Sequence, residues 1–178
     1  MSTPNTAVHM LRPSLADIPQ HAFPPGYSIR AMKRGDEALW TDVQRDAEPY
    51  LKIEDGLFAA EFGGDWALIG QRCFLILNPR GATSGTISAW RSENFKGGSW
   101  GRIHWVAVRP SAQGQGLAKA GLTFALNVLA QHHRRAWLAT SSARLNAIKL
   151  YLDFGFVPDL ELSGAEAAWR EIHAALGR

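Results

Sequence analysis

The sequence predicts an α/β fold, and three observations predict it. Apolar or alternating runs of strand length recur between longer stretches of helical periodicity. One strand-like run, Arg102-Ile103-His104-Trp105-Val106-Ala107-Val108, leads through Gln113-Gly114-Gln115-Gly116-Leu117-Ala118 into a long amphipathic helix. Across 178 residues the composition is that of an ordinary globular domain, 46% hydrophobic and 20% charged, enough for one core without disulfides.

In chain order, residues 1–26 are polar and broken by prolines and read as an extended N-terminal arm, with residues 27–178 as a single domain. Tyr27-Ser28-Ile29-Arg30-Ala31-Met32 alternates as a first strand. Gly35-Asp36 opens a helix with an apolar stripe of Leu39, Trp40, Val43 and Ala47, stopped at Pro49. A shorter helix is expected over Gly56 to Phe62, closed by Gly63-Gly64. Cys73-Phe74-Leu75-Ile76-Leu77 is an apolar strand, and Gly85 to Trp90 its hairpin partner. The strand Arg102–Val108 follows a loop with Gly97-Gly98. The long helix buries Leu117, Gly121, Phe124, Val128 and Leu129. Ala136 to Thr140 is the next strand. Ser141 or Ser142 can cap a helix to about Phe154, with Gly155 as its C′ residue. Phe156-Val157 starts a short strand. Ser163-Gly164-Ala165-Glu166 has capping-box spacing before a terminal helix striped by Ala168, Trp169, Ile172 and Leu176.

Charge is segregated along the chain. From Asn94 to Leu152 there is no acid, against Lys96, Arg102, Arg109, Lys119, Arg134, Arg135, Arg144 and Lys149. Asp36 to Asp65 instead carries Asp36, Glu37, Asp42, Asp46, Glu48, Glu54, Asp55, Glu61 and Asp65 against Arg45 and Lys52. The first window favours an anionic ligand and the second a cation. The bases are scattered rather than gathered on one helix face, which argues against nucleic acid. No leader or membrane-length apolar run is expected, and the single Cys73 fits a reducing compartment; the expected location is cytoplasmic.

The glycine turn is the first candidate site. N–H groups at a strand-to-helix turn lack helical partners, the helix dipole adds positive charge, and glycine admits a phosphate to the main chain. Further on, Asn146 is followed by Tyr151 and then Gly155-Phe156. Together these resemble the GNAT superfamily of acyl-CoA-dependent N-acetyltransferases. Gln113-x-x-Gly116-x-Ala118 is similar to the family's pyrophosphate motif, Val106-Ala107-Val108 before Pro110 to the strand end preceding it, and Asn146 to Phe156 to its later motif. The specific match covers roughly residues 102–157.

The resemblance implies a mixed, mostly antiparallel sheet splayed at the fourth strand, with helices on both faces; the terminal helix is extra. It implies acetyl-CoA, or another short acyl-CoA, as donor and the primary amine of a small molecule as acceptor, with no metal. The backbone of Gln113, Gly114, Gln115, Gly116, Leu117 and Ala118 would hold the pyrophosphate of coenzyme A. Val106 and Val108 would meet the pantetheine arm, and an N–H there could polarise the thioester carbonyl. Asn146 would bond near the cofactor, and Tyr151 would protonate the departing thiolate. Asn146 fits equally well as a helix-start residue bonding its own backbone.

The proton acceptor is less defined. Family members often place a Glu where this chain has Arg102. Strand alternation puts Arg102, His104, Val106 and Val108 on one face, which makes His104 the candidate base; a buried structural histidine is the competing reading. Glu48 and Glu93 are alternatives. Trp66, Trp90, Trp100 and Trp105 are expected to flank the acceptor side as an apolar or cation–π pocket, although core packing or a homodimer contact fits them as well. Cys73 reads as core. The alternative to an enzyme is a non-catalytic acyl-CoA-binding module of the same fold. A P-loop hydrolase is excluded, because Lys119 follows Ala118 rather than a glycine.

Overall fold

Where the strands fall follows from alternation and from apolar runs, and the computed structural model, which describes residues 5–177, divides them between two compact units. Seven strands and six α-helices occur among the described residues, and the strands are antiparallel apart from one parallel pair.

One unit comprises Gln20–Trp90 and Ile103–Val128. Its strands β2 (Ser28–Ala31), β3 (Cys73–Leu77) and β4 (Thr83–Phe95) pair antiparallel, with Ile29 opposite Ile76 and Leu75 opposite Thr86. Helices α1 (Glu37–Ala47), α2 (Leu57–Phe62) and α3 (Trp66–Arg72) bring Trp40, Phe58, Phe62 and Ile69 onto Met32, Cys73 and Leu75. Each such fully buried side chain contributes roughly 1.5–3 kcal/mol. Three sequence expectations need correcting here. The stripe of α1 is rotated: Leu39 is exposed, while Thr41 and Gln44 are buried beside Trp40 and Val43. The helix α3, not expected at all, starts where the Asp65 carboxylate accepts the N–H groups of Ala67 and Leu68, an N-cap. The long helix α4 (Leu117–Ala130) buries a broader face than predicted, including Ala120, Leu122, Ala125 and Leu126.

The other unit comprises residues 1–19, Arg91–Arg102 and Leu129–Arg178. Within the expected arm, residues 1–4 lie outside the described residues, while Ala7–Arg12 forms strand β1, antiparallel to both β6 (Ala136–Ser141) and β7 (Val157–Pro158). Its inward positions are Val8, Met10 and Arg12. The inward arginine disguises the alternation; it donates to the carbonyls of Phe154 and Ala16. Strand β4 runs on to Phe95 and β5 (Gly98–Val108) begins at Gly98, longer than either sequence run suggested. Lys96 and Gly97 both have positive φ, as a two-residue hairpin turn of the primed kind needs. The parallel pair is β5 with β6, where Gly101 faces Ala136 and Arg102 faces Trp137.

The caps in this unit differ from the predictions at the N-termini and agree at one C-terminus. Helix α5 (Leu145–Asp153) starts at Arg144 without a side-chain cap. Ser141 instead accepts from the Arg144 guanidinium, and Ser142 from the N–H of Thr6. Helix α6 (Ala165–Leu176) starts at Gly164, so the box predicted at Ser163 does not form. At Gly155 the expectation holds: φ is +79°, and the Phe156 N–H reaches the Tyr151 carbonyl at 3.0 Å, a Schellman closure.

Candidate active site

At the end of β5 a 3-10 turn, Pro110–Ala112, leads into the glycine turn. Gly114 and Gly116 have φ of +78° and +80°, and no heavy atom lies within 4 Å of where a Cβ would stand. Gln113, Gly114, Gln115 and Gly116 are exposed, so their main chain faces open space. The turn is anchored from below. Leu117 and Ala112 pack with Ile76, flanked by Phe23, Tyr27, Ile29 and Val108. Two side chains brace it: Gln113 donates to the Val108 carbonyl, and the Tyr27 hydroxyl donates to Gln115 Oε1, both at 3.0 Å. Leu117 is the buried hook, Ala118 is half-buried, and α4 supplies the positive end of a dipole to an open main chain. The residues present thus fit a pyrophosphate bound through backbone N–H groups.

Earlier on the same strand the chain does something no run of sequence announced. Trp105 has φ of +49°, a left-handed conformation that costs a bulky residue about 1–3 kcal/mol. A strand residue so placed departs from the extended backbone on which strict alternation depends. Consequently His104 and Trp105, which alternation sends to opposite faces, both reach one carboxylate. His104 Nε2 lies 2.8 Å from Glu61 Oε2, and the Trp105 indole N–H donates to the same oxygen at 3.0 Å. The carbonyl of Trp105 is held from elsewhere: Thr86 Oγ1 donates to it at 3.0 Å, and the Gln44 amide reaches both that hydroxyl (2.7 Å) and the carbonyl (3.4 Å).

Aromatic rings surround this cluster. Phe62 meets His104 edge-on at 5.7 Å and Trp90 at 5.1 Å, and Trp40 meets Trp105 at 5.3 Å. Trp66 stacks on Phe58 under the Arg34 guanidinium. The carboxyl side chain of Glu61 remains about a third exposed, against 11% for His104. Trp66, Trp90 and Trp105 are partly buried and pack against the core of Trp40, Phe58 and Phe62, as the core-packing reading has it, while Trp100 packs on Phe95 beneath Arg135. Arg102 is likewise engaged in its own unit, 4.7 Å over the Trp137 ring.

The other two carboxylates considered as bases have partners of their own. Glu48 accepts the Tyr50 N–H, and Glu93 pairs with Arg91. Glu61, the acid that does meet His104, escaped the sequence reading. Its signal was available: it is the one charged residue of the apolar helix Leu-Phe-Ala-Ala-Glu-Phe. The acidic block is also less bare than it reads, since Asp36 is gripped by Arg30 and Asp46 by Arg109. The paired guanidinium of Arg30 holds the Asp36 carboxyl below the usual range. Cys73 is core, its thiol pushed up to about 12 by burial.

Val106 and Val108 are half-buried on β5. The two motif residues in the other unit are placed differently from one another. Tyr151 is buried on α5 against Phe156, and burial pushes its phenol up to about 12, only partly opposed by Arg144. Asn146 is exposed on the first turn of α5. No helix among the described residues is long and apolar enough to cross a membrane.

Strand β5, with its left-handed residue at Trp105, thus runs into an exposed glycine turn at the head of α4. The family model described as Acetyltransferase (GNAT) family matches residues 13–156, and the chain belongs to that family. Solved structures agree on the fold. A GCN5-related N-acetyltransferase from Sphaerobacter thermophilus superposes with a TM-score of 0.72 at 20% identity, over 87% of this chain and 49% of that one. The ribosomal-protein-S18-alanine N-acetyltransferase of Escherichia coli gives 0.60 at 20% identity, over 74% and 77%. The diaminobutyrate acetyltransferase of Paenibacillus lautus, in complex with L-2,4-diaminobutyric acid and coenzyme A, gives 0.57 at 23% identity, over 72% and 74%. The chain spans about half the length of the first two solved structures it matches. No curated protein matches its sequence.

Proposed function

We propose that this chain transfers an acetyl or other short acyl group from acyl-CoA to the primary amine of a small cationic acceptor, by direct attack in a ternary complex. The observation that carries the reading is the 2.8 Å pairing of His104 with the Glu61 carboxylate, ringed by aromatics on the strand that feeds the glycine turn. Backbone N–H groups from Gln113 to Ala118 bind the pyrophosphate, and Val106 and Val108 meet the pantetheine arm. The amine nitrogen attacks the thioester carbonyl carbon. A C–N bond forms, the C–S bond breaks, and the electron pair leaves on sulfur. His104 takes the amine's proton, directly or through water, and the Glu61 carboxylate steadies the resulting imidazolium. Tyr151 gives its proton to the thiolate, and Asn146 bonds near the cofactor. The products are an amide and free coenzyme A. The family's membership and fold support acyl transfer; the roles of Tyr151 and Asn146 rest on the motif that they form with Gly155-Phe156.

Negative charge at Glu61, partly open to solvent amid aromatic faces, favours a cationic acceptor over an acidic one. The test is thiol release from acetyl-CoA across a panel of polyamine-like, amino-sugar, neutral and acidic amines. Turnover confined to cationic amines, with kcat reduced at least about tenfold in Glu61→Gln and in Tyr151→Phe at unchanged donor affinity, supports the reading. Turnover only with neutral or acidic acceptors overturns the acceptor class. Donor binding without turnover on any amine replaces the enzyme by a non-catalytic acyl-CoA-binding module.

A further inference from the structure

The conformation of Trp105 is an expense that the cluster around it must cover, and the way it is held has a directional result. A trans peptide is planar, so the carbonyl of one residue and the N–H of the next point in opposite directions. The carbonyl of Trp105 is turned to Thr86 Oγ1 and the Gln44 amide. The N–H of Val106 is thereby turned to the opposite side of β5. Neither anchor has latitude: Thr86 is wholly buried and Gln44 is 2% exposed. They are also bound to each other, Gln44 Nε2 to Thr86 Oγ1 at 2.7 Å. Buried amide and hydroxyl groups are retained only when hydrogen-bonded, and here the strand carbonyl completes the set. The other end of Trp105 is tied by its indole N–H to Glu61. Carbonyl and ring are thus pinned independently, which leaves the Trp105–Val106 peptide one orientation.

We infer that Gln44 and Thr86 are positioning residues for acyl transfer: by gripping the Trp105 carbonyl they aim the Val106 N–H at the thioester oxygen of the acyl donor. This rests on the acyl-transfer reading above. The sequence gives no hint of it, because a glutamine on a helix and a threonine on a strand, 42 positions apart, look like solvent-facing and β-propensity choices respectively. The geometry assigns them to the same peptide plane. Without the grip the peptide is free to relax toward ordinary extended backbone, which turns the N–H elsewhere. The donor still binds, because its phosphates are held at the glycine turn, but negative charge developing on the carbonyl oxygen loses its partner.

The experiment pairs kinetics with backbone amide NMR on the intact 15N-labelled chain. Thr86→Val keeps the shape and β-branching and deletes the donor hydroxyl; Thr86→Ser keeps the hydroxyl. The inference predicts a kcat about 10- to 100-fold lower in Thr86→Val, with KM for acetyl-CoA within about twofold, and most of the rate restored in Thr86→Ser. In the spectra, saturating acetyl-CoA shifts the amides of Gln113–Ala118 in wild type and in both variants. The Val106 amide shifts in wild type and Thr86→Ser and not in Thr86→Val. An identical Val106 response in Thr86→Val overturns the inference, as does a variant whose KM rises in step with its loss of kcat. Should Thr86→Val fail to fold, Gln44→Met takes its place with the same readouts and an expected loss of about tenfold. If the Gln113–Ala118 amides stay still in wild type, the donor reading itself falls, a result distinct from a lost Val106 response.

Discussion

The turn at Gln113–Ala118 is made of consecutive main chain, whereas the cluster at Glu61, His104 and Trp105 is made of side chains drawn from α2 and β5 and braced from α1 and β4. The first presents backbone donors to open space and asks of its side chains mainly that they be absent. The second depends on each side chain and on a backbone conformation that none of them prefers. This teaches where each half of the proposed reaction is vulnerable. Donor binding is to be lost by changing backbone freedom, and transfer by changing side-chain chemistry.

Exchanging the two kinds of damage tests that division. The largest effect is expected at His104: His104→Ala lowers kcat/KM for the amine by about 10²- to 10⁴-fold, while acetyl-CoA binding measured by calorimetry stays within twofold of wild type. A comparable loss of donor affinity would erase the distinction. Next comes the core beneath the cluster. Burial raises the Cys73 thiol from 9.0 to about 12, so the folded state favours the neutral form. That contribution is complete below pH 9 and drains away as pH rises toward 12, at about 1.4 kcal/mol per unit. Urea unfolding at pH 8 and 10.5 should therefore show wild type losing roughly 2 kcal/mol more than Cys73→Ala. Equal losses would refute it. Tyr151 carries the same sign and is common to both proteins.

Smaller effects are expected on the backbone side. Gly116→Ala puts a Cβ on a residue at φ +80°, where the penalty is about 1–2 kcal/mol. Donor affinity should weaken about tenfold with kcat at saturation nearly unchanged; a fall in kcat alone would point to a role in transfer instead. Smallest is the α2 start. Gly56 sits at the N-cap with φ −81° and open space where a Cβ would go. Gly56→Ser should add a few tenths of a kcal/mol and raise Tm by about 1 °C, by fixing the helix that carries Glu61. No change in Tm would mean that α2 is already fixed by Phe58 and Phe62.

The same division governs what could be read from sequence. The glycine turn was legible because its chemistry is local: six consecutive residues, a strand before and an apolar stripe after. The terminal helices and Gly155 were legible for the same reason. The Glu61–His104 pair spans 43 positions, and nothing in a strand of alternating residues signals that Trp105 turns left-handed. His104 was found as a candidate; its partner was not, because a lone Glu on a short helix resembles ordinary surface charge. Strand β1 was missed because Arg12 occupies an inward position that pattern reading reserves for apolar residues. Leu39 shows the converse, an apolar residue that the helix leaves outside while Gln44 goes in.

Gly85 carries a lesson for anyone re-engineering this chain. It directly precedes Thr86 on β4, and a Cβ there would stand 2.7 Å from the carbonyl oxygen of Ala107. Replacing a strand glycine is a routine way to stabilise a fold, because a side chain restricts the unfolded chain. Here the neighbour is backbone and cannot swing aside, so any side chain at 85 pushes β5 away from the hydroxyl at 86. Stabilising libraries should leave this position untouched, and a β4 graft into another scaffold must carry residues 85 and 86 together.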